Sequence, residues 1–158
     1  MNPYEDVKQF HLACNHPVLS TPQIPSPARV ALRKALIKEE IAETLKGIAD
    51  ENLPEIADGI CDAIYVLVGT ALEYGIPLPM IWKAVQQSNM QKTTGGKCPK
   101  TGKQLKPPGW EPPDIERILN TFTLYSQCKE CEGMSGLHTA VCSQAPYSAS
   151  PSPKKDSQ

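Results

Sequence analysis

The chain has 158 residues, 40% of them hydrophobic, and a formal net charge of −1 at pH 7, which predicts one domain with a modest core and a short extension. The near-neutral charge lacks the basic footprint of a duplex-DNA-binding protein, so we expect no nucleic-acid partner. No apolar run approaches the roughly 18 residues of a membrane span, and the N-terminus is charged, so we expect a cytoplasmic protein without a membrane partner.

Five helices are predicted in chain order, because prolines, glycines and capping residues mark their ends. They cover about 3–13, 27–49, 54–74 and 79–90, followed by a short helix opened by Pro112-Pro113-Asp114. The segments 14–27 and 91–113 are rich in Pro or Gly and are predicted loops, the second one structureless. No alternating strand pattern is present, so the predicted fold class is all-α.

The composition changes near residue 126, which predicts a domain over 1–125 and an irregular extension over 126–158 with a disordered end. The extension contains Cys128, Cys131, His138 and Cys142, the ligand types of a small zinc site. Their spacing departs from common zinc modules, so free thiols are the alternative interpretation.

Both long helices carry their acids along one face. At about 100° per residue, apolar residues fall in one arc of each helix and acids in another. The apolar sets are Ile37, Ile41, Leu45, Ile48 and then Ile56, Ile60, Ile64, Leu67; the acidic sets are Glu39, Glu40, Glu43 and then Glu55, Asp58, Asp62. The short connection predicts that the two helices pack antiparallel, so the pattern is repeated on neighbouring helices.

An acidic face on an amphipathic helix is ordinarily only solvated. Here, however, Leu32, Leu36 and Tyr65 lie on the same side as the acids, which is typical of a cleft or an interface. The like-charged pairs four residues apart also destabilise each helix by a few tenths of a kcal/mol. Because hard divalent cations prefer oxygen ligands, the pattern favours a Mg²⁺-type site.

Three motifs in this order resemble the all-α nucleoside triphosphate pyrophosphohydrolases, the group containing MazG, the phosphoribosyl-ATP pyrophosphohydrolases and the dimeric dUTPases. They are Glu39-Glu40-x-x-Glu43, Asp58-x-x-x-Asp62-Ala-Ile-Tyr65 and Ser88-Asn89-Met90-Gln91-Lys92. Phage-type MazG-like members share, in addition, Phe10-His11, the segment 65–76 and the closing segment 106–114. The resemblance covers about residues 1–118.

The resemblance implies a MazG-like helical bundle completed by oligomerisation, as a homodimer or homotetramer. It also implies two or three Mg²⁺ or Mn²⁺ ions per site and hydrolysis of a nucleoside triphosphate to the monophosphate and pyrophosphate. Glu43, Asp58 and Asp62 are the implied metal ligands, and Glu39 or Glu40 is either a further ligand or the catalytic base. Glu55 ranks below them, because two registers of the family motif fit this helix.

The substrate-binding residues are implied by the same resemblance. Asn89 and Lys92 are expected at the sugar or the phosphates, although an ordinary helix C-terminus has the same residue types. Lys97 and Lys106 lie in a basic loop that closes over the triphosphate in this hypothesis; a solvated loop with scattered lysines is the alternative interpretation. His11 and Asn15 lie in the region that borders the base pocket in relatives, with plain packing as the alternative for His11, and Tyr65 is a further substrate-binding candidate. As aromatic residues, Trp82 and Trp110 are candidates for base stacking, with a place in the core or an interface as the alternative.

The phage-like length and motif order resemble the MazZ subgroup of cyanophages with 2-aminoadenine DNA, which implies dGTP and GTP as substrates. The alternatives are dUTP, dCTP or a house-cleaning role. Phosphoribosyl-ATP is a third possibility, against which the loop and the closing segment count. An alternative from another functional class is a helical interaction protein with a zinc-binding tail. The complete set of acids favours the enzyme over this alternative.

Overall fold

The computed structural model describes residues 2–126 and is helical throughout its regular parts. The elements are α1 (Pro3–Ala13), α2 (Pro27–Ala49), α3 (Leu53–Glu73), α4 (Leu78–Gln91) and α5 (Ile115–Ser126). The sole extended pairing in this part of the chain is an isolated antiparallel bridge between Lys97 and Gln104. The predicted all-α class is confirmed, and the four predicted helix ranges agree with the structure to within one residue at each end.

The helix ends follow from residues that were visible in the sequence. Asn2 caps α1, because its side-chain oxygen accepts a hydrogen bond from the backbone N–H of Tyr4 at 3.2 Å. Gly75 follows α3 with φ +63°, and a Cβ there would lie 2.2 Å from the carbonyl oxygen of Thr21. Only glycine fits that turn. Ser26 occupies the N-cap position of α2, but its side chain makes no capping hydrogen bond.

Helices α2 and α3 form a tight hairpin that organises the molecule. Their backbones approach closely at two glycines, where a Cβ on Gly47 would lie 3.0 Å from the backbone nitrogen of Ile56. The contact face of the hairpin is made of small residues, namely Thr44 and Gly47 on α2 and Gly59 and Ala63 on α3. Close packing of this kind holds the side chains on the two flanks of the hairpin at a fixed separation.

The buried core is small and lies between α1 and the second half of α3. Val7, Val68 and Leu72 form it, with Tyr4, Val18 and Leu78 packed around them. The segment between α1 and α2 runs along the end of α3, where the Leu19 N–H donates to the Leu72 carbonyl at 2.9 Å. This arrangement fixes α1 against α3 beside the hairpin.

The predicted apolar arcs of α2 and α3 are not covered within the described part of the chain. The small residues of the hairpin contact leave a row of large aliphatic side chains on one flank, between 43% and 60% exposed. This apolar stripe consists of Ile41, Leu45, Ile48, Ile60, Ile64 and Leu67. These residues therefore form no core within residues 2–126, because small residues occupy the contact between α2 and α3.

Beyond Pro77 the chain forms an arm, comprising α4, residues 92–114 and α5, which turns 119° from the direction of α3. The loop is more ordered than the sequence predicted. The Gln104 side-chain amide donates to the carbonyls of Lys92, Gly95 and Gly96, at 2.6, 3.2 and 2.9 Å. A short 3-10 turn, Lys92–Thr94, continues α4 into this loop. One polar side chain thus ties the loop to the chain that follows α4 through three backbone carbonyls.

In the part of the chain described, no single helix is long and apolar enough to span a membrane. Only α3 and α4 taken together, across their bend, reach that length and composition.

Candidate active site

The acid flank of the hairpin is the flank opposite the apolar stripe. It is formed by Glu39, Glu40, Glu43, Asp58 and Asp62. The first three lie on α2 and the last two on α3, and all are exposed except Glu40, which is half-buried. The structure therefore brings together the acids that the sequence singled out as metal ligands and base.

Glu40 stands at the centre of this flank. Its pKa is raised above the ordinary value because partial burial disfavours the charged form and four neighbouring acids repel it. Those acids are, in decreasing order of effect, Asp62, Glu43, Glu39 and Asp58. Because two of them come from α3, the carboxylates of both helices act on one point, and no basic side chain is among the charges that do so.

The local backbone holds Glu40 in place. Thr44 donates a hydrogen bond from its hydroxyl to the Glu40 carbonyl at 2.8 Å. The same hydroxyl faces Gly59, where a Cβ would lie 2.8 Å away. The close approach of the two helices at Thr44 and Gly59 is therefore one helical turn from Glu40, the acid whose pKa is raised.

Uncompensated carboxylates on two adjacent helices are the donor set that Mg²⁺ or Mn²⁺ prefers. Within residues 2–126, no three His, Cys, Asp or Glu side chains are already gathered around one point as a ligand set. The acids are nevertheless exposed and share one flank, so their donor chemistry fits a divalent cation. Glu43, Asp58 and Asp62 are the residues that would hold it.

Glu55 lies at the turn end of the hairpin, away from this centre. Its carboxylate is 3.9 Å from Lys46 Nζ, which itself pairs with Asp50 at 2.7 Å. A neighbouring cation already offsets its charge, which agrees with its lower rank among the candidate ligands.

An aromatic group borders the acid flank. Tyr65 follows Asp62 by three residues on α3, and its ring packs edge-on against Phe10 with the centroids 5.6 Å apart. The His16 ring lies 6.1 Å from Phe10. Phe10 and Tyr65 are both exposed, so this group offers aromatic surface next to the acids.

His11 and Asn15 were expected at the base pocket, and the structure places His11 in α1 and Asn15 in the turn that follows it. His11 is only 3% exposed, and its Nδ1 donates to the Pro17 carbonyl at 3.1 Å. Asn15 has a left-handed backbone with φ 54°, a conformation that Asn tolerates better than most residues. Both positions therefore shape the turn after α1, and the exposed rings beside them are those of Phe10 and Tyr65.

The basic candidates gather on the arm instead of on the acid flank. Lys92 Nζ donates to the Asn89 side-chain oxygen at 2.7 Å. Lys106 Nζ lies over the ring of Trp110, while Lys97 pairs through its backbone with Gln104. Trp82 lies on α4 and is 69% exposed, so it is not part of the core of the single chain.

A cavity of about 430 Å³ also lies on the arm, between α4 and α5. Gln87, Gln91, Asp114 and Arg117 are among its lining residues. It contains none of the acids described above.

Sequence reasoning missed one buried charge cluster. Glu73 on α3 is fully buried, and its carboxylate accepts hydrogen bonds from both Arg29 and Arg33 of α2. Arg33 also donates to the Thr70 hydroxyl at 3.0 Å and to the Val66 carbonyl. A lone acid within the apolar run 63–73, opposite two arginines spaced four apart, was the available signal.

The four candidate zinc ligands, Cys128, Cys131, His138 and Cys142, lie outside the described residues.

Comparison with known proteins adds two similarities. The family model described as phosphoribosyl-ATP pyrophosphohydrolase matches residues 7–89, which is just over half of the chain and includes the whole acid flank. An uncharacterised protein of Acanthamoeba polyphaga mimivirus is 35% identical over 79 residues. The aligned segment covers 48% of this chain and 32% of that protein, so the chain spans about a third of its relative's length.

Proposed function

The chain belongs to the phosphoribosyl-ATP pyrophosphohydrolase family, and we propose that it hydrolyses a nucleoside or deoxynucleoside triphosphate to the monophosphate and pyrophosphate in a metal-dependent reaction. The observation that carries this proposal is the acid flank. Five carboxylates of two helices lie on one flank, no ion pair within residues 2–126 offsets their charge, and the pKa of the most central one, Glu40, is raised by burial and by its acidic neighbours. A site of that charge favours a divalent cation with its anionic ligand.

The residues divide the work of this reaction. Glu43, Asp58 and Asp62 would hold Mg²⁺ or Mn²⁺, which supplies charge neutralisation for the polyphosphate and a lowered pKa for water. Glu40 is suited to accept a proton from the attacking water, because its half-buried carboxylate lies among the acids that would hold the metal. Glu39, one residue earlier and exposed, is the competing choice for that role.

We propose dGTP and GTP as the substrates, with dGMP or GMP as the product. Motif order and phage-like character support this choice over dUTP, dCTP and phosphoribosyl-ATP. In this proposal the exposed rings of Phe10 and of Tyr65, which lies one turn from Asp62 on the side of the acids, contact the base or the sugar. A nucleotide-processing role of this kind belongs in the cytoplasm.

We further propose that a second copy of the chain covers the apolar stripe. Six large aliphatic side chains in a row are a surface that monomers rarely leave exposed. The acid flank lies on the other side of the hairpin and stays accessible in such a pair. The basic residues of the arm make no contact with the acids of their own chain among the ion pairs of residues 2–126, so the arm of a second copy is suited to complete the site.

The test is pyrophosphate release from canonical NTPs and dNTPs, dUTP and phosphoribosyl-ATP, with Mg²⁺ or Mn²⁺ and with EDTA. Glu43→Gln is the inactive variant, and Glu51→Gln, an exposed acid off the flank, is its matched control. Metal-dependent release with dGMP or GMP as co-product supports the proposal. Turnover of another triphosphate in the panel changes the substrate and keeps the reaction. Absence of turnover throughout rejects the enzyme and favours the interaction protein.

A further inference from the structure

The ring of Trp110 lies against two lysines that are far apart in the sequence. Lys106 Nζ is 3.9 Å from the ring centroid and Lys92 Nζ is 5.1 Å from it. Ammonium groups at such distances are attracted by the electron-rich face of an indole, the ring for which this attraction is strongest. One side chain thus gathers a cation from the end of α4 and a cation from the loop.

Trp110 itself is anchored to α4. Its Nε1 donates to the Ser88 carbonyl at 3.0 Å. Ser88 is buried, and its hydroxyl donates to the carbonyl of Glu111, the next residue after Trp110, at 3.3 Å. These two contacts tie both the ring and the adjacent backbone to the same residue of α4. The ring is therefore a fixed platform and cannot turn away to stack on a base without losing its hydrogen bond.

The two lysines keep their charge available. Lys92 donates to the neutral side-chain oxygen of Asn89, and within residues 2–126 neither Lys92 nor Lys106 forms an ion pair with a carboxylate. Two like charges on one ring repel each other, so an anion that bridges them is favoured. A mobile lysine side chain loses conformational entropy when it binds an anion. The ring reduces this loss because it orders both lysine side chains before the anion binds.

We propose that Trp110 is a positioning residue for polyphosphate: its ring presets Lys92 and Lys106 to bind the phosphate chain of the substrate. The inference rests on the proposed function for the identity of the anion, and it assigns the tryptophan a role through the lysines instead of direct base stacking.

The experiment is calorimetric titration of inorganic tripolyphosphate into the full chain in EDTA, where no turnover takes place. Trp110→Leu removes the ring, and Trp110→Phe keeps a ring while losing the bond to Ser88. We expect the Leu variant to weaken binding about tenfold and the Phe variant to weaken it less than threefold. Lys83→Gln, an exposed lysine elsewhere on α4, is the control and should bind as the unmodified chain does.

A double-mutant cycle with Lys106→Gln separates positioning from a general structural role. If the ring acts through the lysines, Trp110→Leu has a much smaller effect when Lys106 is already replaced. Equal effects in both backgrounds, unchanged affinity in the Leu variant, or no binding of tripolyphosphate to the unmodified chain each overturn the inference. Ring-dependent binding without turnover of any triphosphate would reject the proposed function alone, and turnover with ring-independent binding would reject this inference alone.

Discussion

Gly59 of α3 lies directly against Thr44 of α2. A Cβ at position 59 would lie 2.8 Å from the Thr44 hydroxyl oxygen and 3.0 Å from its Cα. Because a helix backbone cannot move aside as a side chain tip can, Gly59→Val forces the hairpin apart. We expect the free energy of unfolding to fall by about 1–3 kcal/mol in urea denaturation, together with a loss of stabilisation by Mn²⁺.

Ala57→Val is the matched control, since it adds a β-branched side chain at an exposed position of the same helix. Its stability should change by less than about 0.5 kcal/mol. If both valine variants lost the same stability, helix propensity and not the close approach would explain the effect.

The buried carboxylate of Glu73 is held by two arginines of the neighbouring helix. Glu73→Gln leaves Arg33, itself buried, without its countercharge. We expect a loss of about 3–5 kcal/mol in the free energy of unfolding, measured by urea denaturation. The exposed Glu51→Gln should change it by less than about 0.5 kcal/mol, and a mild effect at Glu73 would show that solvent reaches the cluster.

The acids of the acid flank repel one another, and this repulsion lowers the stability of the folded chain. Glu40→Gln removes a carboxylate that is half-buried among like charges, so in EDTA at neutral pH we expect the melting temperature to rise by about 1–2 °C. The same variant should show a smaller rise with Mn²⁺ than the unmodified chain and should lose turnover. A lower melting temperature of the Glu40→Gln variant in EDTA would contradict the repulsion between Glu40 and the neighbouring acids.

Burial lowers the pKa of His11 below its ordinary value, and the positive charges of Arg33 and His16 act in the same direction. The hydrogen bond to Pro17 and the charge of Glu73 oppose this shift without reversing it. The unfolded chain therefore takes up the proton first, and stability falls as the pH drops below about 6.5. The raised pKa of Glu40 has the opposite effect at lower pH, because there the folded chain takes up the proton first and gains stability. The contribution of His11 is therefore measured by comparing a His11 variant with the unmodified chain.

His11→Gln removes the titrating ring. We expect its free energy of unfolding to change less between pH 7.5 and pH 5.5 than that of the unmodified chain, in paired urea titrations. Parallel pH dependence of the two proteins would mean that His11 is not the group responsible.

The apolar stripe predicts an assembly that charge can break. Leu45→Glu should shift the chain to a monomer in light scattering, whereas Leu12→Glu, an equally exposed leucine on α1, should not. Mixing the two inactive variants Glu43→Gln and Lys92→Gln tests whether two copies share a site. Recovery of up to about a quarter of the normal activity is expected for statistical pairing of shared sites, and no recovery would place acids and lysines in one chain.

The helix bounds were predictable because local residues decide them: Asn2, Pro27 and Gly75 act on their own turns. The acid flank was also predictable, since it needs only the helical period and an antiparallel hairpin. The partner of the apolar arc was not predictable, because the helical period places Leu45 and Ile60 on one face and does not determine which residues pack against that face. Glycines at 47 and 59 gave the signal that small residues would make the contact.

Contacts between distant segments explain the other omissions. Arg33 and Glu73 are forty residues apart, and only the packing of α2 on α3 brings them together. The platform of Trp110 depends on an irregular loop whose path follows from Gln104 bonding three carbonyls. No periodic pattern encodes either arrangement.

The 119° bend after α3 divides the chain at a single short link. The hairpin on one side carries the acid flank and most of the helix packing, while the arm on the other side carries Lys92, Lys106 and the ring of Trp110. Apart from Leu78, which packs against the core, substitutions in the arm are therefore expected to leave the fold of the hairpin unchanged. In the proposed function, this division would let the reaction of the hairpin stay the same while the arm changes the nucleotide that is bound.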